Sequence, residues 1–360
     1  MRILLTGGGT AGHIIPNIAV SEELKKHSHD LELLYIGSKN ELDKEIVESA
    51  GIKFKSIHAG KLRRYFSFEN FVDMFKVPMG FFESFKIIKK FNPDIIFSKG
   101  GYVAVPVVLA GKLLKKKIII HESDANFGLA SRITGLFANK ILTSYEETGC
   151  KNKKVQFVGC PIRPEVIKGA KEEGYKITGF HHGKPTILVM GGSLGAMKIN
   201  TVVWSALSQL IPHYQIVHIC GKGKSAKVFS DFLLEKLKDH YVEYEYVDKE
   251  LKHFYAIADI IISRAGANSL AEIETTGAPT IIVPLPGKYS RGDQLENAKA
   301  FRNKDKRRYK IIKNEKLTSR LLVETINELT KEKKRPVYKE LFLEPTRKIA
   351  TTIKSLATTA

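Results

Sequence analysis

The chain has 360 residues, 43% of them hydrophobic, which excludes a disordered protein and suggests two domains of ordinary size. Its three cysteines, Cys150, Cys160 and Cys220, are too few and too scattered for a disulfide framework or a zinc site, and no apolar run approaches the roughly 18 residues of a membrane span. A formal charge of +20 favours an anionic partner, whether nucleic acid, acidic lipid or a phosphorylated substrate, or else marks a lysine-rich solvated surface.

Residues 2–6 (RILLT) read as a short buried strand. They run directly into Gly7-Gly8-Gly9-Thr10-Ala11-Gly12-His13, and a helix pattern follows from about Pro16 to Lys26. No apolar h-region precedes the glycine loop, so no signal peptide is expected. A glycine loop between strand and helix lets the backbone approach a phosphate while the helix N-terminus supplies N–H donors. The next strand, Leu33 to Ile36, ends in Gly37-Ser38 and not in an acid, which counts against a dinucleotide-dependent dehydrogenase. His13 stands at the helix start, where the dipole disfavours imidazolium. It reads either as a neutral proton acceptor or as a structural loop histidine.

Residues 61–91 differ in composition. Eight of the nineteen phenylalanines fall there, interleaved with lysine and arginine. Phe71, Phe75, Phe81, Phe82 and Phe85 with Lys86 and Lys89 suggest an interfacial membrane contact, and Pro78 divides the segment into two helical pieces. The competing reading is a helix pair packed on the sheet with its lysines in water.

Asp94 to Phe97 is another strand, and it ends in a second glycine loop, Ser98-Lys99-Gly100-Gly101-Tyr102. Lys117 to Ile120 ends in His121-Glu122-Ser123-Asp124, where an α/β active site would lie, so His121 and Glu122 are candidate catalytic groups. Lys140 to Thr143 and Val155 to Val158 complete a first sheet. A linker stiffened by Pro161 and Pro164 follows.

The second half repeats the first. Thr186 to Met190 leads into Gly191-Gly192-Ser193-Leu194-Gly195 and a helix. Gln215 to Ile219, Val242 to Val247 and Ile260 to Ile262 continue the sheet. After Ser263-Arg264-Ala265-Gly266 a helix runs from about Asn268, then a strand from Thr280 to Val283, then a Pro/Gly-rich loop to Gln294. Glu272, about one turn into that helix, reads either as a carboxylate for a ribose diol or as an acid that stabilises the helix dipole. From Lys304 to Lys354 the chain is basic and mostly helical, and Pro345 to Leu356 suggests a helix returning to the first domain.

Two Rossmann-like domains with a glycine loop in each suit a nucleotide-activated donor and a phosphorylated acceptor. No Asp-x-Asp pair marks a metal–diphosphate site, and no GxxxxGK[ST] loop marks a P-loop enzyme. Backbone N–H groups, helix dipoles and arginine would then stabilise a leaving diphosphate. The residues alone reach a two-domain nucleotide-dependent transferase.

The motifs LLTGGGTAGH, KLRRY, FSKGGYVAVP, HESD, GCPIRPEV, LVMGGSLGA, ISRAGANSLAEI and SRGDQLENA, in this order and spacing, resemble the MurG family, bacterial N-acetylglucosamine transferases that make lipid II. The HESD and SRGDQ forms look like its Gram-positive branch. The resemblance covers nearly the whole chain. It implies a GT-B fold, two Rossmann-like domains facing across a cleft: an acceptor and membrane-docking domain at 1–162, a UDP-GlcNAc domain at 163–340, and a segment at 341–360 returning to the first. The implied reaction is an inverting transfer, with no metal or other cofactor, from UDP-GlcNAc to the 4-hydroxyl of the muramoyl sugar of undecaprenyl-diphosphate-linked lipid I. That transfer takes place at the anionic cytoplasmic face of the membrane, with no part for nucleic acid.

On this resemblance His13 is the candidate base. Thr10, Ala11, Gly12, Arg163, Ser193, Ala267, Asn268, Ser269, Glu272 and Gln294 bind the donor. Gly8, Gly9, Lys99, Gly100, Gly101 and Tyr102 meet the acceptor diphosphate. At Asp124 many relatives carry an asparagine that contacts the donor sugar, and here a carboxylate takes that place. The rival readings are a glycolipid synthase acting on diacylglycerol, a UDP-GlcNAc epimerase of the same fold, and a non-enzymatic basic surface-binding module.

Overall fold

The computed structural model describes residues 1–9, 11–26, 28, 30–60, 68–149, 152–192, 195–225, 237, 239–287 and 292–358, without the side chains of 11 and 68–75. It divides into two compact units, Met1–Arg163 with Leu343–Ala360, and Pro164–Phe342.

Unit 1 is built on a parallel sheet of β1 (Arg2–Thr6), β2 (Glu32–Gly37), β3 (Lys53–Ser56), β4 (Ile95–Ser98), β5 (Lys117–Glu122), β6 (Lys140–Thr143) and β7 (Val155–Phe157), in the order β3-β2-β1-β4-β5-β6-β7. Its inner strands, β1, β2, β4, β5 and β6, are largely apolar and buried because both faces are covered. Ile3 and Leu5 of β1 pack on one side with Ile14, Val20 and Leu24 of helix α1 (Ala11–Lys26). Leu4, Ile96 and Ile118 pack on the other side with Val107 and Val108 of a second helix (Ala104–Leu113). Helix Glu344–Thr358, which follows the second unit in the chain, puts Ile349, Ala350 and Ile353 into the same core as Ile3, Leu5 and Ile14.

Unit 2 carries a parallel sheet of β8 (Thr186–Met190), β9 (Gln215–Ile219), β10 (Tyr241–Tyr244), β11 (Ala258–Ser263), β12 (Thr280–Ile282) and β13 (Tyr309–Ile311), in the order β10-β9-β8-β11-β12-β13. Alternate residues again face two cores. Ile187, Val189 and Ile260 meet helix Met197–Leu210, and Leu188, Ile261 and Ile282 meet Phe254, Leu270 and Phe301.

The structure departs from the sequence-based expectation in four places. Helix α1 begins at Ala11 and carries Pro16 in its second turn. The segment expected to break at Pro78 is one helix, Phe68–Phe91, which accommodates the proline at the loss of one backbone donor. His121 and Glu122 are the last residues of β5 and not a loop beyond it, because both pair with β6. Edge strands β3 (KFKS) and β13 (YKI) are short, and each interleaves lysine so that no periodic signal marks it.

Candidate functional site

In each sheet the strand order reverses once, between β1 and β4 in unit 1 and between β8 and β11 in unit 2. Ligands of open α/β sheets bind beyond the carboxyl ends of the strands at such a reversal.

In unit 1 the loops after β1 and β4 meet there. Thr6 lies in register with Ser98. Gly101 has φ +80°, and a Cβ on it would fall 2.5 Å from the Gly8 carbonyl oxygen and 3.3 Å from His13 Cδ2. A Cβ on Gly9, at φ +90°, would strike the ring of Tyr102. The two glycine loops therefore touch through bare backbone, which a side chain would separate.

His13, in the first turn of α1, is partly accessible. Its Nδ1 lies 3.0 Å from the main-chain oxygen of Lys99. A carbonyl only accepts, so Nδ1 carries the proton and Nε2 the lone pair. Burial holds this ring's pKa below the ordinary histidine value, and the nearby Lys99 charge adds to the effect. Asp124, the Lys99 carbonyl and Asp43 oppose it without reversing it. The ring is neutral at pH 7 and able to take a proton at Nε2.

The loop is braced by residues that the sequence reading passed over. The Asn17 amide donates to the Thr6 carbonyl (3.1 Å) and to the Tyr35 hydroxyl (3.1 Å), and that hydroxyl donates to the Gly7 carbonyl (2.9 Å). The buried Asp43 carboxylate accepts from Ser38 Oγ (2.6 Å) and from the Gly9 N–H (3.3 Å). A polar residue on an apolar helix stretch (IIPNIAV) and a tyrosine inside an apolar strand (LLYIG) were the available signals.

Several expected roles change. Lys99 was expected to meet a diphosphate, but it is 1% exposed. Its Nζ points inward and donates to His121 Nδ1 (2.7 Å) and Ser123 Oγ (2.5 Å). The Gly9 and Gly100 amides are already engaged, the first by Asp43 and the second by Ser98 Oγ (3.1 Å). Among the expected diphosphate groups, Gly8, Gly101 and Tyr102 line the loop contact itself. His121 is buried, with Nε2 bonded to the Gly159 carbonyl at 3.0 Å, and burial drives its pKa well below the usual value. Glu122 accepts from the Asp124 N–H (3.0 Å) and the Gly128 N–H (3.1 Å). Burial and the neighbouring Asp124 raise its carboxyl pKa. Both residues shape the loop that presents Asp124, and neither faces outward as a reacting group. Gly12 follows Ala11 at the start of α1, and Arg163 closes unit 1. Thr10, Ser193 and the side chains of Ala11, Phe71 and Phe75 lie outside the described residues.

Unit 2 gathers a second set at its own reversal. Gly266 caps helix Ala267–Glu274, which carries Ala267, Asn268, Ser269 and Glu272. The Gln294 side-chain carbonyl accepts from the Leu285 N–H (2.9 Å) and the Ala265 N–H (3.3 Å), tying the loops after β11 and β12 together. Glu272 is half-buried and accepts from the Tyr255 hydroxyl at 3.3 Å, a partner the sequence did not reveal. Arg264 turns inward to the Val283 carbonyl (3.0 Å) and Asn314 (2.9 Å).

On helix Phe68–Phe91 the aromatic residues divide. Phe82 is 63% and Met79 49% exposed, and Lys86, Lys89 and Lys90 are exposed beside them. Phe81 and Phe85, expected at a membrane, are partly buried and pack against the unit-1 core at the edge of that outward stripe. Among the described residues no helix is long and apolar enough to cross a membrane.

The N-terminal domain of glycosyltransferase family 28 matches residues 3–143, and the C-terminal domain of that family matches 186–353. A Clostridium novyi protein is 45% identical over 338 residues, covering 93% of this chain and 92% of its own. A Staphylococcus aureus protein is 43% identical over 339 residues, with the same coverage of each chain. Both are named UDP-N-acetylglucosamine–N-acetylmuramyl-(pentapeptide) pyrophosphoryl-undecaprenol N-acetylglucosamine transferase. In fold the chain is similar to MurG of Acinetobacter baumannii, with a TM-score of 0.70 at 22% identity over 98% of this chain and 99% of that one. It is also similar to the UDP-GlcNAc 2-epimerase of Neisseria meningitidis bound to UDP-GlcNAc, with a TM-score of 0.62 at 14% identity over 99% of each.

Proposed function

The chain belongs to glycosyltransferase family 28, within its MurG branch, and on that footing we propose that it transfers N-acetylglucosamine from UDP-GlcNAc to an undecaprenyl-diphosphate-linked N-acetylmuramyl-pentapeptide. The observation that carries this reading is 43–45% identity running over 91–93% of the chain, through both units, in relatives that bear that name.

The site geometry supports a simple displacement. The acceptor's 4-hydroxyl attacks the anomeric carbon of the donor, the bond from that carbon to the diphosphate oxygen breaks, and UDP departs with inversion. The hydroxyl proton passes to Nε2 of His13, whose tautomer the Lys99 carbonyl selects. On this reading main-chain N–H groups at the start of α1 stabilise the anionic part of the substrate, and no metal is needed. In unit 2 Glu272, oriented by Tyr255, takes the ribose diol of the donor, and Asn268 and Ser269 lie at the same helix start.

The lipid-linked acceptor is met at the anionic cytoplasmic face of the membrane. The outward stripe of Met79, Phe82, Lys86 and Lys89 supports a reversible peripheral contact by unit 1.

The decisive test mixes the protein with radiolabelled UDP-GlcNAc and a short-chain lipid-linked acceptor, without added metal, and extracts the lipid phase. Label entering the lipid is expected. Label left in water, with UDP released on diacylglycerol or with no acceptor, overturns the reading in favour of a glycolipid synthase or an epimerase.

A further inference from the structure

Lysine is almost never fully buried unless it is paired, yet Lys99 is 1% exposed and both hydrogen-bond acceptors of its ammonium, His121 Nδ1 and Ser123 Oγ, are neutral. The bond directions around it are determined. The ammonium only donates, so His121 Nδ1 accepts, and its Nε2–H donates to the Gly159 carbonyl (3.0 Å). The main chain of the same residue is fixed twice more. Its N–H donates to the Thr6 carbonyl at 2.9 Å, and its carbonyl accepts from His13 Nδ1 at 3.0 Å. One residue thus ties the ends of β1, β4 and β5 to the ring of His13.

We propose that Lys99 is a positioning residue for His13: its carbonyl holds the ring in the tautomer that leaves the lone pair on Nε2, and its pinned ammonium keeps that carbonyl in place and a positive charge beside the ring. The proposal rests on the reading of His13 as proton acceptor. The charged groups facing the ring are Lys99 from the β4 loop, Asp124 from the β5 loop and Asp43 from helix Glu41–Ser49. Burial lowers the pKa of the ammonium itself, and Cys160, Glu122 and Asp124, which face it, oppose that shift. Burial and Lys99 both disfavour imidazolium at His13, against the two aspartates. With the ammonium removed, the ring protonates at higher pH.

The test is nitrogen NMR of ring-labelled histidine in the full chain, with His13 assigned by its loss in His13→Gln, alongside kcat/KM against pH. The wild-type ring is expected as the Nδ1–H tautomer, titrating below ordinary histidine. In Lys99→Met its midpoint and the acid limb of kcat/KM both move up by about one pH unit. A merely structural lysine would lower turnover at every pH without moving either. An Nε2–H tautomer in the wild type, or an unmoved midpoint in folded Lys99→Met, overturns the proposal. Should Lys99→Met fail to fold, Ser123→Ala removes one anchor and keeps the charge. Mixed tautomers at His13 are then expected, and an unchanged ring overturns the positioning role. Near-normal turnover in His13→Gln instead overturns the proton-acceptor reading, which the wild-type tautomer does not decide.

Discussion

The carbonyl oxygen of Gly8 lies 2.5 Å from the place that a Cβ on Gly101 would occupy. An alanine there must also adopt φ +80°, so Gly101→Ala pushes the two loops apart. Displacing groups by about 1 Å at a reacting centre costs on the order of 100-fold, and that loss in kcat/KM is expected, with about 1–3 kcal/mol of stability. Steady-state kinetics beside thermal melts separate the two effects. Unaltered kinetics in a folded variant would remove the loop contact from the reaction.

Tyr255→Phe deletes the hydroxyl that orients Glu272 while keeping the buried ring. A hydrogen bond to a carboxylate is worth about 1 kcal/mol net here, so KM for UDP-GlcNAc should rise about fivefold with kcat little changed. A fall in kcat with constant KM would contradict a ground-state donor contact.

Lys86→Glu with Lys89→Glu reverses charge on the outward face of helix Phe68–Phe91 without touching its packed side. Each lysine near an anionic surface contributes about 1 kcal/mol, so sedimentation with anionic vesicles should weaken steeply and the wild-type binding should fall with salt. Phe82→Ser should weaken binding even at high salt. Equal binding by all three proteins would exclude this face.

Helix propensity and packing oppose each other at Gly80. An alanine gains about 1 kcal/mol in a helix interior, but its Cβ would overlap the main-chain oxygen of His58. Backbone cannot yield as a side-chain tip does, so Gly80→Ala should be net destabilising by about 1–3 kcal/mol in denaturant titrations. A more stable variant would show that the helix can shift.

His218 is fully buried between Asn200 and Tyr241, and burial lowers its pKa from 6.5 to about 3. The folded state therefore prefers the neutral ring. Its contribution is complete above pH 6.5 and is lost as pH falls toward 3, because only the unfolded chain takes up the proton in that window. Between pH 6.5 and 5 this amounts to about 2 kcal/mol. The melting temperature of His218→Gln should be lower at pH 7.5 and depend less on pH below 6.5. A parallel pH dependence would assign the acid sensitivity elsewhere.

Legibility in the sequence followed the physics of burial. Strands covered on both faces announce themselves as apolar runs, so β1, β4, β8 and β11 are readable, and the glycine loops stand out because left-handed backbone and close neighbours at positions such as Gly9 and Gly101 exclude a side chain. The charge of Lys99 and Glu122 suggests solvent or ligand, whereas in the fold buried acceptors and loop amides engage both from inside, a surrounding that no local pattern records. Asn17, Tyr35, Asp43 and Tyr255 were missed because each acts through a partner distant in sequence, and no local pattern records such a pairing. Phe81 and Phe85 suggest a membrane contact by composition, but both are partly buried against the unit-1 core, while Phe82, whose ring meets that of Phe81, stays exposed.

Helix Glu344–Thr358 supplies Ile349 and Ile353 to the core that the first strand begins, with all of unit 2 between them in the chain. During synthesis the sheet of unit 1 waits, one apolar flank open to water, until some 180 intervening residues have been translated, whereas unit 2 has its whole sequence at hand. Nascent unit 1 is thus the part of this protein most dependent on chaperone cover. A premature stop after residue 342 would spare the later-made unit and damage the one made first.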